Sequence, residues 1–318
     1  MLSLYSNLRC AALLLAACAI SQAQTVHAPY KDISIGLDAT RLRIAALPAA
    51  VHQVAWGFAT GECGDEHWGN FDTEAFARQN VEAYGRSGVG YIVSTGGEAG
   101  IFTCASDEGM RRFVARYASP RLLGFDFDIE GRQTPEQIRS LVQRLRVLQQ
   151  RKPRLRLSFT LATFAASDGS ARSLNALGEQ ALAAIREARL DHAIINLMVM
   201  NYGPADAAHC VVRDGRCDMG ASALQAARNL QQRHGVPARR IALTAMLGVN
   251  DVQDNVFTPA DAQVLAAGAR RMGLAGVHFW SIDRDQPCPP GAPRVSPRCH
   301  GLADVPAGTF GALLASAR

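Results

Sequence analysis

Three carboxylates, Asp126, Asp128 and Glu130, occupy positions i, i+2 and i+4 of the run Leu122-Leu123-Gly124-Phe125-Asp126-Phe127-Asp128-Ile129-Glu130. The apolar residues between them predict a strand. Successive side chains of a strand point to opposite faces, so the three acids share one face. Gathering three acids on one half-buried face is electrostatically costly and does nothing for folding, so chemistry is the better reason for it. Ionised neighbours repel, so each acid raises the proton affinity of the others and the three titrate as a coupled set. Glu130 is outermost and best placed to meet a substrate. A carboxyl kept protonated near neutral pH is a good general acid for a glycosidic oxygen.

The elements that would position these acids alternate in type. Eight strands are expected, at Asp32–Leu37, Gln53–Phe58, Gly90–Ser94, Leu122–Glu130, Leu155–Leu161, Ala193–Met200, Ile241–Leu247 and Gly276–Ile282. Amphipathic helical segments lie between them. Thr134-Pro135-Glu136-Gln137 reads as a capping box with proline at the first helical position, and Thr258-Pro259-Ala260-Asp261 repeats the logic. Gly235 and Gly273 stand where helix C-caps are expected. Alternating strands and helices argue for a parallel sheet, and eight units for a single-domain α/β fold of the (β/α)8 TIM-barrel class. Functional residues of such barrels sit at the C-terminal ends of the strands. The three acids end the fourth strand. Ser94-Thr95-Gly96-Gly97 ends the third, Met198-Val199-Met200-Asn201-Tyr202-Gly203 the sixth, and Trp280 lies late in the eighth. One pocket at the barrel mouth could collect them all.

The N-terminus reads as an export signal over residues 1–23, with Arg9, an apolar stretch from Ala11 to Ile20, and small residues at Ser21-Gln22-Ala23. The stretch is too short to span a bilayer. A second reading stays open: Leu15-Ala16-Ala17-Cys18 resembles a lipobox, which would leave Cys18 acylated and the protein membrane-anchored rather than secreted or periplasmic. The remainder, 24–318, would form the barrel. Six of the eight cysteines lie there, and an even count in an exported chain suggests disulfides. Neighbour pairing (63 with 104, 210 with 217, 288 with 299) is the simplest of the possible sets. The net charge of +5 is spread along helical faces, which argues against nucleic-acid binding.

Together these segments resemble the family 18 glycoside hydrolases, the chitinase family. Phe125-Asp126-Phe127-Asp128-Ile129-Glu130 resembles that family's DxxDxDxE signature, Ser94-Thr95-Gly96-Gly97 its SxGG motif, and Met-x-Met-Asn-Tyr-Gly its strand-six tyrosine motif; Trp280 matches its strand-eight tryptophan. The similarity is nearest to the compact bacterial and archaeal FDFDIE type. It implies substrate-assisted retention, an exception to the usual two-carboxylate scheme. By position, Glu130 would protonate the leaving oxygen and later act as base. Asp128 would orient the substrate acetamide, and Asp126 would share a proton with Asp128. Tyr202 would donate to the acetamido oxygen, while Met200, Asn201 and Trp280 would bind the sugar. No cofactor or metal is implied. The partner would be a polymer or oligomer of N-acetylglucosamine, bound by a monomer in a shallow, open groove.

Two positions depart from the pattern. Leu123 replaces the first Asp of the long signature. Asn201 stands where relatives often carry Asp, which removes a charge near the oxazolinium. Alternatives remain beside the hydrolase: a non-catalytic chitooligosaccharide-binding protein on the same fold, an endo-β-N-acetylglucosaminidase acting on N-glycans, and a DxDxE cation site. Trp56 and Met198 read as core, His192 and His278 as packed or surface histidines. Trp68 is open between a rim subsite and loop packing. Gly248-Val249-Asn250-Asp251 is open between sugar contact and loop capping.

Overall fold

The apolar runs fold as eight strands: β1 (Tyr30–Asp32), β2 (Gln53–Glu62), β3 (Gly90–Gly96), β4 (Leu122–Ile129), β5 (Arg156–Ala162), β6 (Ile194–Met198), β7 (Ile241–Met246) and β8 (Gly276–Trp280). In the computed structural model, which describes residues 25–35, 47–49 and 51–317, these strands pair in chain order. Every pair is parallel. The segment ahead of β1 closes the ring. Val26 bridges Gly276, its N–H donating to Ala275 O at 3.0 Å while the Val277 N–H donates to Val26 O at 3.0 Å. The expected (β/α)8 barrel is therefore the fold. The export segment and Cys18 lie outside the described residues.

Helices α1 (Thr73–Ser87), α2 (Asp107–Arg116), α3 (Pro135–Arg151), α4 (Ala176–Glu187), α5 (Met219–His234), α6 (Pro259–Met272) and α7 (Thr309–Ala315) alternate with β2 to β8. Both capping boxes form, Thr134 with Gln137 and Thr258 with Asp261. Gly235 and Gly273 take the left-handed conformation that ends α5 and α6. Pairing of the acid strand follows from its two faces. Phe125, Phe127 and Ile129 turn outward into the apolar layer beneath the helices, where Phe125 meets Phe113 at 4.8 Å and Phe127 meets Phe159 at 5.6 Å. Burying each such ring stabilises the fold by roughly 1.5–3 kcal/mol. The same alternation turns Asp126 and Asp128 into the barrel, both buried.

Two local differences from the sequence-based expectation, and the placing of Trp68 that the sequence left open, have physical causes. The first strand comes earlier, at Tyr30–Asp32 rather than Asp32–Leu37; Gly36 and Leu37 lie outside the described residues. It stops because Asp32 Oδ1 accepts from the Ser34 N–H at 2.8 Å, an Asx turn. β2 runs past Phe58 and pairs above the barrel with Asp65–His67 and Phe102–Thr103. Trp68 is wholly buried rather than at a rim, because its Nε1–H donates to the Tyr117 hydroxyl at 2.8 Å and its ring packs on Phe76 at 4.4 Å. Trp56 packs as expected, stacked on Tyr91 at 4.2 Å.

The three expected disulfides are present: Cys63–Cys104, Cys210–Cys217 and Cys288–Cys299. The first ties the extension of β2 to the segment before α2 across 41 residues. Closing a loop of that length removes unfolded-state entropy worth about 3–4 kcal/mol. Replacing Cys63 and Cys104 together by Ser should lower the stability measured in guanidinium by about that amount. An unchanged midpoint would show that the cross-link contributes nothing.

Candidate active site

The barrel interior beneath the mouth is a hydrogen-bonded polar layer centred on Asp126. Ser94 Oγ of β3 donates to Asp126 Oδ2 at 2.7 Å, and Tyr30 Oη of β1 to the same oxygen at 2.9 Å. From β5, Ser158 Oγ and Thr160 Oγ1 donate to Oδ1 at 2.6 and 2.8 Å. The layer continues through Asn196 of β6, whose Nδ2 donates to Thr160 Oγ1 at 2.8 Å, and Thr244 of β7, which donates to Asn196 Oδ1 at 3.0 Å. Four hydroxyls thus converge on one carboxyl and between them donate to both of its oxygens. Among the described residues no hydrogen bond joins Asp126 to Asp128, whose carboxyl interacts most directly with those of Glu130 and Asp126 through charge.

Strand period then sets the next two acids. Asp128 rises one step above Asp126 on the same face, and Gly96 of β3 pairs opposite it. Gly96 has φ +86°, and a Cβ there would stand 2.1 Å from Asp128 O. No other residue permits that approach, which gives the glycine of the Ser94-Thr95-Gly96-Gly97 motif its structural reason. Asp128 Oδ1 is buried and has no hydrogen-bond partner. Burial first, then the charges of Glu130 and Asp126, push the Asp128 carboxyl well above the usual range. Glu130 stands at the end of β4. Burial, with the charges of Glu98 and Asp251 adding to it, pushes its carboxyl up to about 7, against the lowering effect of the Asp128 hydrogen bond.

These acids open into a cavity of about 710 Å³ at the C-terminal mouth. Its wall includes Asp128, Glu130, Met200, Asn201 and Trp280, as expected, together with Met198, which was expected in the core. Met198 is both: only 8% exposed, it forms part of the cavity floor. Trp280 lies against Phe58 at 5.5 Å and 22°, giving an apolar platform. Asp126 and Tyr202 are not in the wall. Tyr202 is buried, and its hydroxyl has no hydrogen-bond partner. His278 is a packed histidine, its Nδ1 3.0 Å from Ala28 O, and His192 is on the surface.

The wall also contains groups that no motif pointed to. Glu98 follows the Gly96-Gly97 turn, and Arg284 follows β8. Arg284 is buried and spends its donors on Leu247 O, Val249 O and Ser296 O, which ties the loop after β7 to the Cys288–Cys299 loop. Val295 and Pro297 of that loop complete one side of the cavity. The Gly248–Asp251 segment divides its labour. Asn250 caps the turn, donating to Met246 O and Gly248 O at 3.0 Å, while Asp251 faces the cavity.

The elevated proton affinity of Glu130 has a stability consequence. An ordinary glutamate in the unfolded chain releases its proton near pH 4.5, whereas the folded chain holds this one to about 7. The unfolded state therefore binds fewer protons between these values, and stability falls as pH rises through that window. Glu130→Gln removes the penalty. It should be more stable than the parent at pH 8 by roughly 3 kcal/mol and equal to it at pH 4 in denaturant titrations. A difference that does not change with pH would contradict the assigned titration.

No family model matches the chain. The chain is 27% identical over 298 residues to a probable bifunctional chitinase/lysozyme of Escherichia coli (strain K12), an alignment covering 87% of this chain and 32% of that protein. It is 26% identical over 281 residues to endochitinase 11 of Metarhizium anisopliae, covering 82% and 53%. The chain thus spans about a third and about half of the lengths of these relatives. Catalytic-site mutants of active domain 2 of a thermostable chitinase from Pyrococcus furiosus, solved with chito-oligosaccharides, share the fold with a TM-score of 0.71 and 24% identity, over 92% of this chain and 93% of that one. With the acid strand at the barrel mouth, the chain is thus similar in sequence to chitinases over most of its length and shares the barrel fold of a solved chitinase domain.

Proposed function

We propose that this protein is an exported hydrolase of β-1,4-linked N-acetylglucosamine chains, acting as a monomer by a retaining, substrate-assisted route. The observation that carries the reading is the pair at the end of β4. Glu130 holds its proton to about pH 7, and beside it Asp128 Oδ1 is buried without a partner. The first is a proton donor facing the cavity. The second is an acceptor in search of an N–H, which the acetamide of N-acetylglucosamine supplies.

In this scheme Glu130 gives its proton to the glycosidic oxygen as the C1–O bond breaks. The acetamido oxygen bonds to C1 from the opposite face, forming an oxazolinium ion. Asp128 accepts from the acetamido N–H and offsets its positive charge. Water then attacks C1, its proton passing to the Glu130 carboxylate, and the acetamide is restored with the β configuration retained. Tyr202, whose buried hydroxyl has no partner in the fold, donates to the acetamido oxygen. Trp280 and Phe58 provide the surface on which the sugar ring lies. Asp126, held by four hydroxyls, keeps Asp128 in register and adds negative charge beneath it.

Hydrolysis of chitotetraose by wild type and Glu130→Gln tests this reading. The variant should lose roughly 10²–10⁴-fold in kcat. Wild-type activity should decline as pH rises through about 7, because the donor is then ionised. Equal rates in the two proteins would refute the role of Glu130, and wild-type binding without product would make the protein a lectin on this fold. A high rate on an N-glycan with none on chitotetraose would move the substrate class instead.

The segment between β7 and β8 holds one small hairpin and α6 with no inserted domain, which supports a short, open groove. Soluble oligomers should therefore be turned over much faster than crystalline chitin. Comparable rates on the two would overturn the open-groove reading.

A further inference from the structure

Asn201 grips the loop after β7 at three points. Its Nδ2 donates to Asp251 Oδ2 at 2.9 Å, its Oδ1 accepts from the Val252 N–H at 3.0 Å, and its own N–H donates to Asn250 Oδ1 at 3.3 Å. Asn201 has φ +49°, in the left-handed region that asparagine tolerates better than most residues. Asn250, wholly buried, anchors the same loop from below. The loop therefore has little freedom, and the Asp251 carboxylate is presented to the cavity that Glu130 also lines. An aspartate at position 201 would lack the Nδ2 donor, and its charge would face Asp251. The residue types at 201 and 251 are thus matched to each other.

We propose that Asn201 and Asp251 work as one device, in which Asn201 positions Asp251 so that its carboxylate keeps the proton on Glu130. This rests on the reading of Glu130 as proton donor. The other charged groups facing Glu130 are Asp128 from its own strand, Glu98 from the loop after β3, and Arg284 from the segment after β8. Arg284 opposes Asp251 in sign, but its guanidinium is turned to three backbone carbonyls rather than to a carboxylate. Both Glu98 and Asp251 add to the proton affinity of Glu130.

The test is the pH profile of kcat/KM on chitotetraose for wild type, Asp251→Asn, Asp251→Glu, Asn201→Ala and Glu130→Gln. Asp251→Asn keeps an oxygen for Asn201 Nδ2 and removes only the charge. Its alkaline limb should move to lower pH by a few tenths of a unit or more, as expected for a solvent-screened charge across a cavity. Asn201→Ala, which frees Asp251, should move the limb the same way by less, and Asp251→Glu should leave it in place. A residue that merely held the loop would lower the rate without moving the limb. If Glu130→Gln is inactive while the limbs of both Asp251→Asn and Asn201→Ala stay at the wild-type position, the device is refuted and the donor assignment stands. If Glu130→Gln is fully active, the donor assignment itself falls, and the device with it.

Discussion

The site depends on one buried carboxylate. Asp126 lies inside a closed ring of strands, where an unpaired acid would be costly. It is matched by hydroxyls from β1, β3 and β5, two of which, Tyr30 and Thr160, also receive Asn196 of β6. This cross-strand set holds the register between β4 and its neighbours. A one-residue slip of β4 would turn Asp126 and Asp128 into the apolar jacket and Phe127 into the lumen. The position of Asp128, two residues on, and of Glu130, two further, follows from the strand repeat.

Above that layer the demands reverse. Asp126 is saturated with donors, whereas Asp128 Oδ1 has none and Glu130 is crowded by acids. Groups of one chemical type, four residues apart at most, are thereby given different surroundings, and burial with neighbouring acids raises the proton affinity of Asp128 and Glu130. The walls divide in the same way. The apolar side is Trp280 on Phe58, and the charged side is Glu98 and Asp251. The cation of the cavity wall, Arg284, joins the loop after β7 to the disulfide-closed loop at 288–299 and so shapes the cavity more than it charges it.

Much of the fold was legible because it rests on local rules. The helix caps at Thr134 and Thr258 and the stops at Gly235 and Gly273 are decided within a few residues, and each formed as read. The acid strand was legible because period two binds Phe125, Phe127 and Ile129 to one face and the acids to the other. Trp68 was not legible. Its neighbours in sequence are polar and glycine-rich, and only the folding of α1 and α2 over it provides Phe76 and Tyr117. Met198 was half legible: its parity with Met200 was right, but the cavity reaches deeper than the strand ends.

The sequence by itself determined the alternation of strands and helices and the shared face of Asp126, Asp128 and Glu130. These follow from backbone period and steric exclusion, which act along the chain. Only the tertiary structure decided which acid is saturated, which oxygen is left open, and which charges surround Glu130. Ser158, Glu98 and Asp251 come from three different strand–loop units, and nothing in their local sequence relates them to β4. Electrostatic and hydrogen-bond relations depend on distance in space, and barrel closure alone brings those groups to one mouth.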